Sequence, residues 1–197
     1  MHEVIVLVPG FVGAMQGQRY PAGGTVTLLK GNPNVVVDTG DVWQRAQIVA
    51  ALAEHGTAAD DVRWVVNTHG HLDHVGNNNL FPAATFVLDG DLARDGSYWM
   101  HDFSRGPLSI PARSGDDAIS VMLTPGHTDH DLSVIVPAAI GVVAVVGDLF
   151  EHAADEVGGV WERWSRDVAR QRKSRAAVRA MADYIVPGHG GIFRVER

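Results

Sequence analysis

Short apolar runs separated by turn residues dominate the hydrophobic pattern of the chain. They are rich in branched residues and stop at Gly, Pro, Asn or Asp, which is typical of buried strands. The runs that we interpret as strands cover residues 3–8, 24–29, 34–37, 63–67, 85–88, 118–123, 132–136, 141–146 and 184–186. Pro137, Ala138 and Ala139 are expected to form the turn between the strands at 132–136 and 141–146.

Two segments carry helical signals instead. Asp41 can cap a helix over residues 42–54, in which apolar residues recur near helical spacing before Gly56. Residues 160–182, preceded by Gly158 and Gly159, are the longest helix candidate, whereas residues 89–117 lack a clear period and are predicted to be loop. This order of elements predicts a sandwich of sheets with helices outside, rather than a doubly wound parallel sheet.

Composition and charge narrow the classes of function. A chain of 197 residues with 46% hydrophobic residues can bury a core as one domain, residues 1–197, without disulfides. The formal charge of -7 opposes non-specific attraction to nucleic acid or anionic membranes. The apolar run near Met1 is too short for a signal peptide or membrane span, so we expect a cytoplasmic protein without a membrane partner.

Candidate metal ligands follow four of the predicted strands. They lie in residues 68–74, 125–128, 147–148 and 188–190, each of which contains Gly. Strand ends that are far apart in sequence meet only where a sheet edge gathers them, which is a usual place for a preorganised site. The chain has no Cys, so a metal must be held by His and carboxylate side chains. The seven candidates are His69, His71, Asp73, His74, His127, Asp148 and His189.

The first of these segments can serve two metal ions. Alternation along an extended chain points His69 and His71 the same way, and the following turn brings Asp73 and His74 to a neighbouring position. Each of these histidines alone is typical of an ordinary polar loop residue. Five histidines beside Gly or Pro turns are too many for a coincidence, so together they indicate a metal site.

The later segments would complete two groups of ligands. His127 would add a third nitrogen to the first group, His189 would join the second, and Asp148 would bridge the two ions. Zn²⁺ fits these donors best, while Mn²⁺ or Fe would accept the same set. Two divalent ions would hold a bridging hydroxide and polarise a substrate oxygen, which indicates hydrolysis. Asp73 is our candidate catalytic residue, placed to orient the hydroxide and carry a proton to the leaving group.

Two polar residues near the ligands allow two interpretations each. Asp38 either accepts the free N–H of a ligand histidine or serves the turn at Asp38-Thr39-Gly40. His130 either contacts substrate or completes a turn after His127. Four other histidines have no partner pattern and are expected at the surface or in packing: His2, His55, His101 and His152.

Taken in order, these motifs resemble the signature of the metallo-β-lactamase superfamily. His-X-His-X-Asp-His at 69–74, Pro-Gly-His-Thr at 125–128, Gly-Asp at 147–148 and Gly-His at 188–189 are all present, and the match covers nearly the whole chain. The resemblance implies an α+β fold of the αββα sandwich type. It also implies a dinuclear site with His69, His71 and His127 on one ion, Asp73, His74 and His189 on the other, and Asp148 between them.

Because true β-lactamases of the superfamily lack the bridging aspartate, Asp148 favours the glyoxalase II, lactonase and nuclease branches. Residues 24–28, 36–40, 76–77 and 186–195 further resemble a branch of small, single-domain members. In animals that branch carries an RNA endonuclease assignment, which implies a phosphodiesterase or endoribonuclease. The alternatives are a small-molecule thioester, ester or lactone hydrolase and, third, an iron-dependent persulfide dioxygenase, which uses two histidines and one aspartate for a single iron.

A basic segment bears on the substrate. Residues 163–179 hold seven of the 16 Lys and Arg residues, and Arg170, Arg172 and Lys173 either follow a phosphate backbone or simply face water. Four aromatic residues could stack on a base or line a pocket: Trp99, Phe103, Trp161 and Trp164. Aromatic residues at helical spacing more often pack on the core, and we expect this for Trp164. We therefore expect a small-molecule substrate or RNA as partner, and a homodimer is compatible with these properties.

Overall fold

Two β-sheets form the framework of the molecule in a computed structural model that describes residues 1–112, 118–155 and 159–196. In spatial order, the first sheet contains β1 (Glu3–Val8), β4 (Val26–Lys30), β5 (Asn34–Val37), β6 (Val62–Val66), β7 (Thr85–Leu88), β8 (Asp91–Arg94) and β9 (Ser97–Met100). β5, β6 and β7 are parallel neighbours, and the outer pairs are antiparallel.

The second sheet has six strands and is mostly antiparallel. In spatial order they are β10 (Leu108–Ile110), β11 (Ile119–Leu123), β12 (Leu132–Ala138), β13 (Gly141–Val145), β14 (Tyr184–Val186) and β15 (Phe193–Arg194). Only the β13–β14 pair in this sheet is parallel among the described residues. A separate small ribbon pairs β2 (Phe11–Val12) with β3 (Ala22–Gly23).

One apolar core lies between the two sheets. Val37 and Val66 of the first sheet pack in it with Val121, Val134 and Val186 of the second, and all five are fully buried. The removal of these branched side chains from water is the main favourable term in joining the sheets. The apolar strand patterns therefore determine the sandwich.

Helices cover the outer faces of both sheets. α1 (Arg45–Glu54) buries Ile48 and Leu52 against the first sheet, and α4 (Val168–Met181) buries Val178 against the second. Two shorter helices are α2 (Leu72–Val75) and α3 (Val160–Trp164). The predicted α+β sandwich with helices outside is thus confirmed. Within the described residues, none of the helices combines the length and apolar character needed to cross a lipid bilayer.

The prediction of loop over residues 89–117 was wrong for much of that segment. It contains β8, β9 and β10, while residues 113–117 lie outside the described residues. Asp95 and Gly96 both have positive φ, 50° and 75°, as the two central residues of a tight hairpin turn require. The Asp-Gly pair was the sequence signal for this hairpin.

Two further boundaries differ from the predictions. Pro137 and Ala138 belong to β12, so the turn falls at Ala139 and Ile140. The helix predicted over 160–182 is two helices, because Asp167 starts α4 afresh by accepting a hydrogen bond from the backbone N–H of Arg170 at 3.0 Å. Gly158, predicted to precede that helix, lies outside the described residues.

Candidate metal centre

The candidate ligands lie where strands of both sheets end at a common edge. β5 leads to Asp38 and its neighbour β6 to residues 68–74, and β13 and β14 are parallel neighbours that lead to Asp148 and His189. The backbone N–H of Leu132 donates to the carbonyl of Thr68 at 2.7 Å and fastens this edge of the first sheet to the second. Side chains far apart in sequence are thereby brought into one cluster.

The first group consists of three imidazoles and one carboxylate. Nδ1 of His71 lies 2.9 Å from Nε2 of His69 and 3.0 Å from Nε2 of His127. Oδ2 of Asp148 is 3.6 Å from His69 Nε2 and 3.3 Å from His127 Nε2. Burial lowers the pKa of His127 and holds that of His69 well below its usual value, so both rings are neutral near pH 7. Their lone pairs are therefore available to a cation.

The second group shares Asp148 with the first. Oδ1 of Asp148 lies 3.1 Å from Nε2 of His74 and 3.3 Å from Nε2 of His189, while Oδ2 of Asp73 is 3.9 Å from both nitrogens. Burial opposes ionisation of Asp148, yet the facing His74 and His189 hold its pKa well below the usual range. The two oxygens of an ionised Asp148 thus face different groups, as a bridging carboxylate requires.

Unsatisfied buried atoms show that these residues fit divalent cations. His74 Nε2 and Asp148 Oδ1 lie buried 3.1 Å apart at the centre of the cluster, and neither makes a well-aligned hydrogen bond within the part of the chain that the structure describes. A buried polar atom without a partner costs about 1–3 kcal/mol, and a cation between donors of this kind removes that cost. One donor atom per residue lies within 4.8 Å of the others in two sets: His69, His71, His127 and Asp148, and separately Asp73, His74 and His189. The donor set of imidazole and carboxylate suits zinc, iron or manganese.

The far sides of the second group's imidazoles are fixed by hydrogen bonds. His74 Nδ1 lies 2.7 Å from Oδ2 of Asp38, and His189 Nδ1 lies 3.1 Å from the carbonyl of Gly23. Asp38 is held in turn by the backbone N–H and the hydroxyl of Thr68, at 2.7 and 2.8 Å. With Nδ1 engaged as the donor, Nε2 of each ring is left facing the cluster.

Asp148 is positioned from two sides. Gln171 of α4 donates from Nε2 to the carbonyls of Asp148 and Leu149 at 3.0 and 3.2 Å. On the other side, Gly188 passes so close that a Cβ there would collide with Asp148 Oδ1. The glycine before His189 is therefore a steric requirement for the shared carboxylate.

One residue of the cluster is absent from the sequence predictions. Glu151 is 4% exposed, and its Oε2 lies 3.7 Å from Nε2 of His189. Burial, followed by the charge of Asp148, raises the pKa of Glu151 to about 8. Glu151 lies beyond the 3₁₀ turn Gly147–Leu149 and follows the extended Phe150, so no regular spacing in the sequence marked it as a ligand candidate.

The candidate substrate residues are scattered. Trp161, which we predict as a substrate contact, is 1% exposed, and its ring centre lies 4.5 Å from the guanidinium carbon of Arg175. Phe103 and His130 line a depression of about 690 Å³, and His130 also lines the depression that contains His71 and His127. Trp99 lies on β9 opposite Leu92 and is half-exposed.

The basic residues divide between two surfaces. Arg166 and Arg170 reach Asp129 beside the first ligand group, at 2.7 and 3.5 Å. Arg172 pairs with Glu162 and lines another depression, whose lining includes none of the seven candidate ligands. Lys173 is exposed on α4. The basic segment is therefore not one continuous track leading to the ligands.

Comparison with known proteins gives concordant results. A protein-family model, the metallo-β-lactamase superfamily, matches residues 19–189. Metallo-β-lactamase domain-containing protein 1 of Xenopus laevis is 45% identical over 196 residues, which cover 98% of this chain and 82% of the relative. The human protein of the same name is 44% identical over 83% of this chain, and the match spans 60% of its own length.

A solved structure agrees on the fold. The crystal structure of a Thermotoga maritima protein assigned as a metallo-β-lactamase superposes with a TM-score of 0.69 at 21% identity, covering 98% of this chain and 99% of that one. At that identity the likeness establishes the fold alone. Because the family model spans most of the sequence and a relative shares close to half of its residues, the chain belongs to the metallo-β-lactamase superfamily, as a metal-dependent hydrolase of that superfamily.

Proposed function

We propose that the protein is a two-metal hydrolase that cleaves phosphodiester bonds in single-stranded RNA. The observation that carries this proposal is a depression of about 610 Å³ that His71 and His127 share with Trp164 and Arg166. It joins candidate metal ligands, an aromatic surface and a guanidinium in one open cleft. Two divalent ions, Zn²⁺ in our prediction, would supply an activated water and stabilise the charge on the transferring phosphate.

Asp73 is the candidate proton carrier because it is the accessible carboxylate of the two groups. Its side chain is 22% exposed, against 6% for Asp148. It can accept a proton from the attacking water as the new P–O bond forms, and return it to the leaving oxygen as the old P–O bond breaks. Asp148, enclosed by His74 and His189, holds the two groups together instead.

On the basic side of the cleft, two arginines that pair with a carboxylate of this chain can bind phosphate instead. Arg166 and Arg170 share Asp129, and the three side chains are 68%, 47% and 44% exposed. Exposed ion pairs contribute little stability, so a phosphate could replace Asp129 at small cost. The ring centres of Tyr20, which is 40% exposed, and of Trp164, which is partly buried, lie 5.1 Å apart at the same side, and aromatic rings can bind unpaired bases by stacking. We therefore limit the proposed RNA contact to residues 163–170.

Hydrolysis of a small thioester, ester or lactone is the second candidate, favoured by a different surface. Trp43 and Leu72 are 85% and 80% exposed and line a depression of about 480 Å³ with Tyr20 and Asp73. Large apolar side chains beside a candidate catalytic carboxylate suit an acyl chain better than a polyanion. The formal charge of -7 also suits an uncharged substrate.

A paired assay separates the two candidates. The metal-loaded protein is incubated with a labelled single-stranded RNA and, separately, with thioesters and lactones of varied chain length. We expect RNA cleavage that declines as salt rises and that Asp73→Asn abolishes. Arg166→Ala and Arg170→Ala should each lower kcat/KM for RNA and reduce the salt slope by about 0.7 for each lost phosphate contact.

Arg179→Ala is the control, because Arg179 is exposed on α4, the helix that carries Arg170, but among the described residues it neither pairs with Asp129 nor lines the cleft. Thioester or lactone turnover without RNA cleavage would favour the second candidate. A single iron per chain with oxygen uptake would contradict both hydrolytic proposals and favour the persulfide dioxygenase reaction.

A further inference from the structure

Glu151 is a buried carboxylate with no explanation in the packing of the fold. Its side chain is 5% exposed, and the nearest basic atom is His189 Nε2 at 3.7 Å. Among the described residues, His189 is the ion-pair contact of its carboxylate. A buried carboxylate is costly unless positive groups satisfy it, and a metal ion would be such a group.

The backbone holds Glu151 beside the second ligand group. His189 donates its backbone N–H to the carbonyl of Glu151 at 2.9 Å, and Gly188 donates to Phe150 at 2.9 Å. The backbone N–H of Glu151 donates to Oδ2 of Asp155, also at 2.9 Å. These bonds clamp the segment on both sides, so the position of Glu151 relative to His189 does not depend on a flexible loop.

The side chains of Glu151, Asp148 and His189 converge. One donor atom of each lies within 4.8 Å of the other two, and all three residues are buried. Asp148 Oδ1, which is one of the atoms without a hydrogen-bond partner in the described chain, belongs to this cluster as well as to the second ligand group. The cluster therefore extends the second group by one carboxylate instead of forming a separate site.

From this arrangement we infer that Glu151 is an additional ligand of the metal ion held by Asp73, His74 and His189. The inference rests on the two-ion site of the proposed function, and it makes the ligand sets of the two ions different. The first group offers three imidazoles and one carboxylate, whereas the second offers two imidazoles and three carboxylates.

The asymmetry has a consequence for metal preference. Carboxylate oxygens are harder ligands than imidazole and suit Mn²⁺ and other ions of higher coordination number, whereas imidazole-rich, four-coordinate sites suit Zn²⁺. The second site should therefore tolerate Mn²⁺ better than the first site does. Removal of Glu151 should weaken the second site without changing the first.

The test measures metal binding and not activity. Metal-free protein is titrated with Zn²⁺ and with Mn²⁺ in competition with a chromophoric chelator, for the wild type, Glu151→Gln and Glu151→Asp. We expect two ions per chain in the wild type, an unchanged first ion in Glu151→Gln, and a loss of at least about tenfold in affinity for the second, larger for Mn²⁺. Electron paramagnetic resonance of the Mn²⁺-loaded protein should change from a coupled pair to isolated ions.

Glu54→Gln is the control, because it makes the same chemical change on exposed residue 54 of α1. Glu151→Asp keeps the charge but withdraws the oxygens, so it should also weaken the second ion; wild-type affinity in this variant would overturn direct ligation, even if Glu151→Gln failed to fold. Unchanged binding in Glu151→Gln would overturn it too. If the wild type itself bound only one ion, the two-ion proposal would fail instead.

Discussion

Asp38 accepts a hydrogen bond from Nδ1 of His74 across 2.7 Å, behind the metal centre and away from solvent. Asp38 itself has a φ of 57°, a conformation that Asp and Asn adopt more readily than most residues. The turn and the hydrogen bond to histidine, which the sequence offers as alternative roles for Asp38, are therefore combined in one residue. The contact fixes the ring so that Nε2 faces the second ligand group.

Asp38→Asn is expected to weaken metal binding without disrupting the backbone, because Asn tolerates the same φ. The neutral amide orients and polarises His74 less well than a carboxylate, so affinity for the second ion should fall about 10- to 100-fold. Chelator competition on the purified protein measures this. Asp60→Asn, a change at exposed residue 60, is the control. Equal affinities in the two variants would show that Asp38 serves only the turn.

Metal affinity should depend on pH through His189. Burial works against protonation, but the facing Asp148 raises the pKa of His189 to about 9 in the metal-free protein. The ring is then protonated at pH 7 and must release that proton to bind a cation. Apparent affinity for the second ion should rise by up to about tenfold per pH unit from pH 7 and level off above 9.

Calorimetry in buffers of different ionisation enthalpy should detect at least one proton released with the second ion. His189→Gln should lower the number of protons released with the second ion and flatten the pH dependence, while His74 and Glu151, whose pKa values are also raised, continue to contribute. An affinity that stays constant between pH 7 and 9 in the wild type would contradict the raised pKa.

The single methyl group added by Gly188→Ala should lower metal affinity at both sites. The added Cβ would collide with Asp148 Oδ1, which faces the second group while Oδ2 faces the first. We expect displacement of the carboxylate, a loss of metal affinity of at least about tenfold, and destabilisation of about 1–3 kcal/mol from overpacking. Gly191→Ala is the control, because its Cβ would meet open space. Wild-type metal content in Gly188→Ala would show that Asp148 can shift without cost.

Sequence pattern predicted the buried strands well and the exposed ones poorly. β5 and β11 are visible as apolar runs, because their side chains lie in the core or under a helix. β9 is exposed along its whole length and reads Ser-Tyr-Trp-Met, so neither a continuous run nor an alternation marks it. β9 forms because it pairs with β8 across the Asp-Gly turn. The hydrophobic pattern of one strand alone does not predict which strand it pairs with.

The candidate ligands were predictable for a related reason. Each of the seven lies just after a buried strand or in the His-rich segment that follows one, so spacing alone placed them at one edge. Glu151 is a single acid after Leu149 and Phe150, and only the clamp to His189 brings it into the cluster. The burial of Trp161 was not visible in the sequence, because it depends on contact with Arg175, which lies about two turns into α4.

Arg175 is the member of the basic segment whose role the structure changes most. Its guanidinium is buried, donates to Asp155 Oδ2 and to the carbonyl of Leu149 at 2.7 and 2.8 Å, and lies 3.9 Å from the centre of the Phe150 ring. From charge pattern alone it belongs with the solvent-facing cations. In the fold it supports the segment that carries Asp148 and Glu151.

Arg175→Ala should therefore lower the free energy of unfolding, whatever its effect on RNA affinity. It leaves Asp155 buried without its cation, and breaking a buried pair from one side typically costs about 3–5 kcal/mol. Urea unfolding of the metal-free protein should show a loss of that order, with part of it recovered in Arg175→Met combined with Asp155→Asn, which removes both charges. Arg179→Ala, an exposed change on the same helix, should stay within about 0.5 kcal/mol of the wild type. If Arg175→Ala were as stable as the wild type and only bound RNA more weakly, Arg175 would act as a solvent-facing cation. That result would contradict its role in supporting the segment that carries the metal ligands.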